Sequence, residues 1–337
     1  MTGLSRIGKI RLASLRKLTL LGIVAALLSA CTTASFEPVV AKKTGPPVSF
    51  DAELGFSEEA VRNGVVATKE QCDRVENAVW AQTAELGQAC LRYWASGFSN
   101  TSSNRAVVYF AGDCWHYSLG LDSTCRERTT AGLRAGAEIV SKQLGVPYVF
   151  LARPGVFGSS GDHMQRRRPA ESQLISAGLD ALKKRLKIDE FVLAGQSGGG
   201  HVTASLITLR SDVVCAVPAS APSSPRIRWQ TLKWTRDATG YEDSYEPHEH
   251  LDKSRMHPKL RVFVLGDPND KEAVWASQTV LADKLRAAAV PVDVLTGEGV
   301  GTKAHGLGKS AITVAGWCAN NVPSEEIVRR AATGLRG

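Results

Sequence analysis

The sequence predicts an α/β protein: one mostly parallel, doubly wound sheet with helices on both faces and a small insertion. Three observations carry that expectation. Short apolar, β-branched runs stand at 106–111, 148–152, 191–194, 213–217, 261–265 and 292–296, and helical patterns lie between them at 129–144, 170–186, 199–209, 273–288 and 309–320. Parallel strands buried on both faces read as unbroken apolar runs, and strand–helix alternation covers such a sheet on both sides. The third observation is an interruption at 222–253, heavy in Trp, Tyr, Arg and His and without periodicity, where a lid or substrate-facing insertion belongs.

Residues 1–30 precede this pattern. They hold Arg6, Lys9, Arg11, Arg16 and Lys17 and no acid, then an apolar stretch from Leu18 to Leu28, then Ser29 and Ala30. A basic start, a short apolar region and small residues make a secretory signal peptide. The apolar stretch is too short to cross a bilayer core of about 30 Å as a helix. Next comes Cys31, and Leu28-Ser29-Ala30-Cys31 resembles the lipobox of bacterial lipoproteins, in which the cysteine is lipidated and becomes the new N-terminus. The resemblance implies acyl chains on Cys31 that hold the mature protein to a membrane surface in the cell envelope. Thr32 is not the aspartate that retains lipoproteins in the inner membrane, which favours the outer membrane. A tether is expected over 31–50, a helical elaboration over 51–104 with a helix at 69–91, and the main domain over 105–337.

The net charge of +8 falls to +3 when the five leader cations are removed, so the folded part lacks the strongly basic surface that nucleic-acid binding requires. With Cys31 assigned to lipid, Cys72, Cys90, Cys114, Cys125, Cys215 and Cys318 remain, an even number in an oxidising compartment. Proximity pairs Cys72 with Cys90 and Cys114 with Cys125, leaving Cys215 for Cys318; this is one pairing among the fifteen that six cysteines allow. No CxxC spacing points to a metal, and no cofactor motif is found.

The run 191–194 leads straight into Gly195-Gln196-Ser197-Gly198-Gly199, and a helical pattern follows. That strand–turn–helix context is what a nucleophile elbow needs: the serine sits in a strained turn, and glycines on either side let backbone approach closely. A serine hydroxyl becomes nucleophilic when a histidine takes its proton and a carboxylate orients that histidine. Downstream, the run 261–265 ends in Gly266-Asp267-Pro268-Asn269-Asp270; Asp270 is the preferred acid, with Asp267 beside Pro268 as the alternative. After the last strand run comes Gly297-Glu298-Gly299-Val300-Gly301 and then His305, the one histidine that follows the acid loop. Two backbone N–H groups are expected to hold the oxyanion, that of Gly198 and that of Asp113 in the loop after 106–111.

From about residue 104 onward these features resemble the α/β-hydrolases, near the prolyl-oligopeptidase and acylaminoacyl-peptidase branch. The glycine-loop-aspartate-x-x-x-valine run ending at Val274 resembles that branch's acid loop, and Ala152-Arg153-Pro154-Gly155 to Gly161 resembles its Arg-Pro-Gly-x-x-x-Ser turn. Where many members carry His-Gly, this chain has Ala111-Gly112. The resemblance implies an α/β-hydrolase fold and a serine hydrolase acting on a small-molecule ester or a short peptide. The alternatives are a prolyl-oligopeptidase-like exopeptidase and a catalytically silent envelope lipoprotein on the same scaffold.

Three further signals are read as background. Gly297-x-Gly299 lacks the third glycine and the helix of a dinucleotide loop and is expected to be a mobile loop carrying His305. His248-Glu249-His250 has no further spaced ligands for a metal. Arg166-Arg167-Arg168 is expected to be a solvated surface run.

Overall fold

Nine strands form one sheet, whose central members carry the apolar, β-branched side chains that pack on a pleated surface from both sides. The computed structural model describes residues 38–337, apart from 39, 54–55, 100–102 and 118. The leader and Cys31 lie outside the described residues. In chain order the strands are β1 (Ala78–Thr83), β2 (Gly87–Ser96), β3 (Ser103–Phe110), β4 (Tyr148–Leu151), β5 (Ile188–Gln196), β6 (Val213–Ala219), β7 (Arg261–Gly266), β8 (Val292–Glu298) and β9 (Leu335–Arg336). Across the sheet they run β9-β8-β7-β6-β5-β3-β4-β2-β1. From β9 to β4 every pairing is parallel; β2 joins β4 and β1 antiparallel.

Side chains alternate along a strand, so each strand feeds two cores. Val107, Tyr109, Val192, Ala194, Val217 and Phe263 belong to one, with Leu133 and Ala137 of α1 (Thr130–Leu144) and Ala311 and Val314 of α5 (Gly308–Ala319). Val108, Phe110, Leu193, Ala216 and Val264 belong to the other. There they meet Ile175 and Leu179 of α2 (Pro169–Leu186), Val202 and Leu206 of α3 (Gly198–Leu209) and Leu281 and Leu285 of α4 (Trp275–Ala287). Helix α6 (Ser324–Ala332) adds Ile327 to the first core. This is the doubly wound α/β arrangement the sequence predicts.

Two expectations about the N-terminal part are corrected. The helix expected at 69–91 is only Lys69–Asp73, and the chain then forms the β1–β2 hairpin, with Trp80 opposite Cys90. The elaboration over 51–104 is therefore largely two added strands of the main sheet. The tether expected over 31–50 ends early as well: Lys43 pairs with Asp162 at 2.8 Å, Thr44 N–H donates to Asn63 Oδ1, and Val48–Ser49 pairs with Val65–Val66. The three disulfides join Cys72 to Cys90 and Cys114 to Cys125, the pairs expected from proximity, and Cys215 to Cys318, the pair expected by elimination. The insertion at 222–253 leaves the end of β6 and contains the short helix Pro225–Thr231. Among the described residues no helix is long and apolar enough to cross a membrane.

Candidate active site

β5 and α3 meet at Ser197, whose φ of 56° and ψ of −119° lie where side-chain-bearing residues are rarely found. Such a conformation costs about 1–3 kcal/mol and persists only when its surroundings over-determine it. They do so here. Ser197 N–H donates to the Ala219 carbonyl at the end of β6, at 2.8 Å. A Cβ on Gly195 would overlap the Gly199 carbonyl, and one on Gly199 would overlap the carbonyls of Phe110 and Ala111. The glycines thus let the turn close on itself and on the end of β3.

The acid and the histidine come together. His305 Nδ1–H donates to Asp270 Oδ2 at 2.8 Å, and the Asp270 side chain is fully buried. Asp270 Oδ1 accepts the N–H groups of Glu272 and Ala273 at 2.8 and 2.9 Å, and Gln278 Nε2 of α4 donates to Oδ2 at 3.3 Å. These donors fix the carboxylate so that it meets the ring. Asp267 is used differently: it accepts the N–H of Asn269 and, at 2.9 Å, that of Gly299, tying the acid loop to the chain leaving β8.

The loop carrying His305 is not free, contrary to the expectation of a mobile segment. Asp267 holds Gly299, Val300 and Gly306 exchange two N–H···O bonds of 3.0 Å, and Gln196 holds the chain around His305. Gln196 Nε2 donates to the His305 carbonyl at 2.8 Å, and its Oε1 accepts the Leu307 N–H at 2.7 Å. Gln196 directly precedes Ser197, so the histidine loop is fastened to the turn that carries the serine. No hydrogen bond joins Ser197 to His305 among the described residues.

The loop after β3 lies against the same turn: a Cβ on Gly112 would sit 3.4 Å from Ser197 Cβ. The N–H groups of Gly198 and Asp113 donate to no backbone carbonyl among the described residues. The Asp113 carboxylate receives Arg153 Nη1 at 2.8 Å, Arg166 Nε at 3.0 Å and Arg167 Nη1. Burial alone would raise this carboxyl's pKa, but the guanidiniums of Arg167, Arg166 and Arg153 outweigh it and hold the group well below the usual range. The expected solvated run at 166–168 is therefore corrected: Arg166 and Arg167 are each 2% exposed, and only Arg168 reaches outward, to Asp243. Arg167 also reaches Asp237 of the insertion at 2.7 Å.

Two residues beyond Asp270, Glu272 gathers three segments. His116 Nε2 lies 3.4 Å from it, Lys303 Nζ 3.3 Å and Arg228 Nη2 3.5 Å. Burial opposes the ionised form, but the His116 hydrogen bond and the Arg228 charge bring its carboxyl down to about 2. Elsewhere, His250 stacks on Tyr245 with centroids 4.5 Å apart, and His248 Nδ1 lies 3.6 Å from Glu246. Among the described residues no group of three or more His, Cys, Asp or Glu side chains is arranged to hold a metal ion. Sequence reasoning missed Gln196, Gln278 and the partners of Arg166 and Arg167. For Gln196 the available signal is its place inside the elbow; for the others the partners are far away in the chain.

A mostly parallel, doubly wound sheet with a serine elbow after β5, an acid after β7 and a histidine after β8 decides the fold. The fold is that of the α/β-hydrolases. No family model matches the sequence, and no curated protein matches it. Solved α/β-hydrolase structures are similar to it. Pyrococcus horikoshii acylaminoacyl peptidase is 12% identical, with a TM-score of 0.45 over 65% of this chain and 36% of that one. Est1E from Butyrivibrio proteoclasticus is 11% identical, with a TM-score of 0.48 over 73% and 99%. A Pyrococcus furiosus esterase is 13% identical, with a TM-score of 0.48 over 79% and 94%. The aligned part is thus about a third of the peptidase and nearly the whole of either esterase.

Proposed function

We propose that this α/β-hydrolase is a serine hydrolase that cleaves carboxylic esters or amides through an acyl-enzyme. The observation that carries the reading is the bond from His305 Nδ1 to the buried Asp270, on a loop fastened by Gln196 to the strained Ser197 turn. Ser197 Oγ attacks the carbonyl while His305 Nε2 takes its proton; Asp270 holds Nδ1–H, so that the lone pair of the neutral ring lies on Nε2, and stabilises the imidazolium that forms. The negative oxygen of the tetrahedral intermediate lies against the N–H groups of Gly198 and Asp113, at the positive end of α3. The imidazolium then gives its proton to the leaving alcohol or amine. Water, deprotonated by the same histidine, releases the acid.

Esters are the first substrates to try, because an alkoxide leaves more readily than an amine; release of amine from aminoacyl amides would favour the exopeptidase reading. Labelling with a fluorophosphonate probe tests the assignment. The folded protein labels, and Ser197→Ala abolishes the label; a folded wild-type protein that never labels favours the catalytically silent reading.

The setting belongs to the same proposal. A basic leader, the Leu28-Ser29-Ala30-Cys31 string and three disulfides support export and a lipid on Cys31. Cys31→Ala is expected to move the protein from the membrane fraction to the soluble fraction of the envelope. Persistence of that variant in the membrane fraction would overturn the anchor.

A further inference from the structure

The cluster around Asp113 asks for an explanation beyond folding. Its three guanidiniums come from the turn after β4 and from the loop before α2, and all are at most 2% exposed. Each is gripped from a second side. Arg153 pairs with Glu171 at 2.7 Å, Arg167 pairs with Asp237 at 2.7 Å, and Arg166 donates to the carbonyls of His163 and Trp115 at 3.2 and 3.3 Å. Buried ions of this kind return about what their desolvation costs, so an apolar plug of the same volume would serve the fold as well. What distinguishes the cluster is its position. A Cβ on Gly198 would overlap the Asp113 carboxylate and stand 2.6 Å from Arg153 Nη1. Asp113 therefore abuts the first residue of α3.

We propose that Asp113 is a positioning residue: its carboxylate, clamped by Arg153, Arg166 and Arg167, fixes its own peptide so that its N–H and that of Gly198 converge on one oxyanion. The inference rests on the serine-hydrolase reading. The same guanidiniums cancel a carboxylate that, bare, would repel the developing oxygen anion. Through Arg167 the clamp also reaches Asp237, so the insertion takes part in holding the donor.

The field and the geometry have opposite signs in Asp113→Asn. Removing the negative charge leaves the region more positive, so a field effect alone would raise kcat. Losing the clamp turns the peptide away and lowers it. The expected result on a short-chain p-nitrophenyl ester is a fall in kcat of about 10- to 100-fold with KM within about threefold, in a protein that melts earlier than wild type because three buried guanidiniums have lost a shared counter-charge. A trifluoromethyl ketone, which adds to the serine as a tetrahedral oxyanion, is expected to weaken by the same factor as kcat/KM. Unchanged or higher kcat in D113N, or ketone binding that does not follow kcat/KM, overturns the proposal.

If D113N does not fold, R167K decides. It keeps the charge and loses the fork, and it is expected to cost about fivefold in kcat with a matching loss of ketone affinity. No change overturns the clamp. Wild-type protein that labels with fluorophosphonate while these variants behave as wild type refutes the clamp alone; wild-type protein that never labels removes the hydrolase reading and the clamp with it.

Discussion

Gln196 holds the main chain on both sides of Gly306, donating to the His305 carbonyl at 2.8 Å and accepting from the Leu307 N–H at 2.7 Å. The residue before the serine therefore sets the height of the histidine, and neither contact touches substrate. In Gln196→Ala two bonds of about 1 kcal/mol each are lost from the loop, and the ring samples more positions. Ester kcat is expected to fall about 10- to 30-fold with little change in KM, since roughly 1.4 kcal/mol is tenfold in rate. Steady-state kinetics on a p-nitrophenyl ester give the number, and a kcat equal to wild type would show that the loop holds itself.

Ser197 occupies a backbone conformation that glycine adopts freely. Ser197→Gly and Ser197→Ala both remove the hydroxyl, but only the glycine relieves the strain. The strain of about 1–3 kcal/mol, less the entropy that glycine loses on folding, leaves the glycine variant more stable by about 1 kcal/mol. Calorimetry of the two inactive variants measures the difference; an alanine variant that melts at or above the glycine variant contradicts a strained turn.

Glu246, 4% exposed in the insertion, has its carboxyl pushed by burial up to about 7 from 4.5, against hydrogen bonds from Ser224 Oγ and the Arg226 N–H. The folded value lies above the unfolded one. The protonated group thus contributes fully below about pH 4.5, and that stability is lost as pH rises through about 7. Glu246→Gln is expected to gain on wild type by about 2–3 kcal/mol between pH 5 and pH 8. Paired melting curves at the two pH values decide it, and a difference that does not grow with pH argues that Glu246 is ionised at both.

Cys215 of β6 and Cys318 of α5, 0% and 1% exposed, close a stretch of 103 residues that contains both Asp270 and His305. Replacing both by alanine is expected to cost about 2–4 kcal/mol in unfolding free energy. Native protein should keep this pair under mild reductant and release it only on unfolding, which thiol counting with and without denaturant resolves. Prompt release from the native state would place the bond nearer the surface.

The central sheet was legible because β4, β6, β7 and the middles of β3 and β5 are buried on both faces and their side chains form unbroken apolar runs, which the chain displays locally. The Ser197, Asp270 and His305 candidates were legible because each follows a recognisable strand. The β1–β2 hairpin was not. Between Glu76 and Leu91 stand Ala, Glu, Gln and Leu, good helix formers, and what makes strands of them is cross-strand pairing, with Val79 opposite Leu91 and Gln82 opposite Gln88. Arg166 and Arg167 looked solvated for a related reason. The carboxylates that bring them inside, Asp113 and Asp237, lie more than fifty residues away in either direction, and charge alone does not announce a distant partner.

The order of strands in the sheet has a consequence for how the chain assembles. β1 to β5 are contiguous on one side and β6 to β9 on the other, so the first half is complete once Gln196 has been made, before either the acid or the histidine exists. Cys72–Cys90 and Cys114–Cys125 fall wholly within that half, and Cys215–Cys318 wholly within the second. Thiols that emerge in this order meet their native partners first. Closure in sequence is then compatible with the native connectivity without reshuffling, and until β6 docks the protein presents an open strand edge at β5, the kind of edge on which another chain can pair.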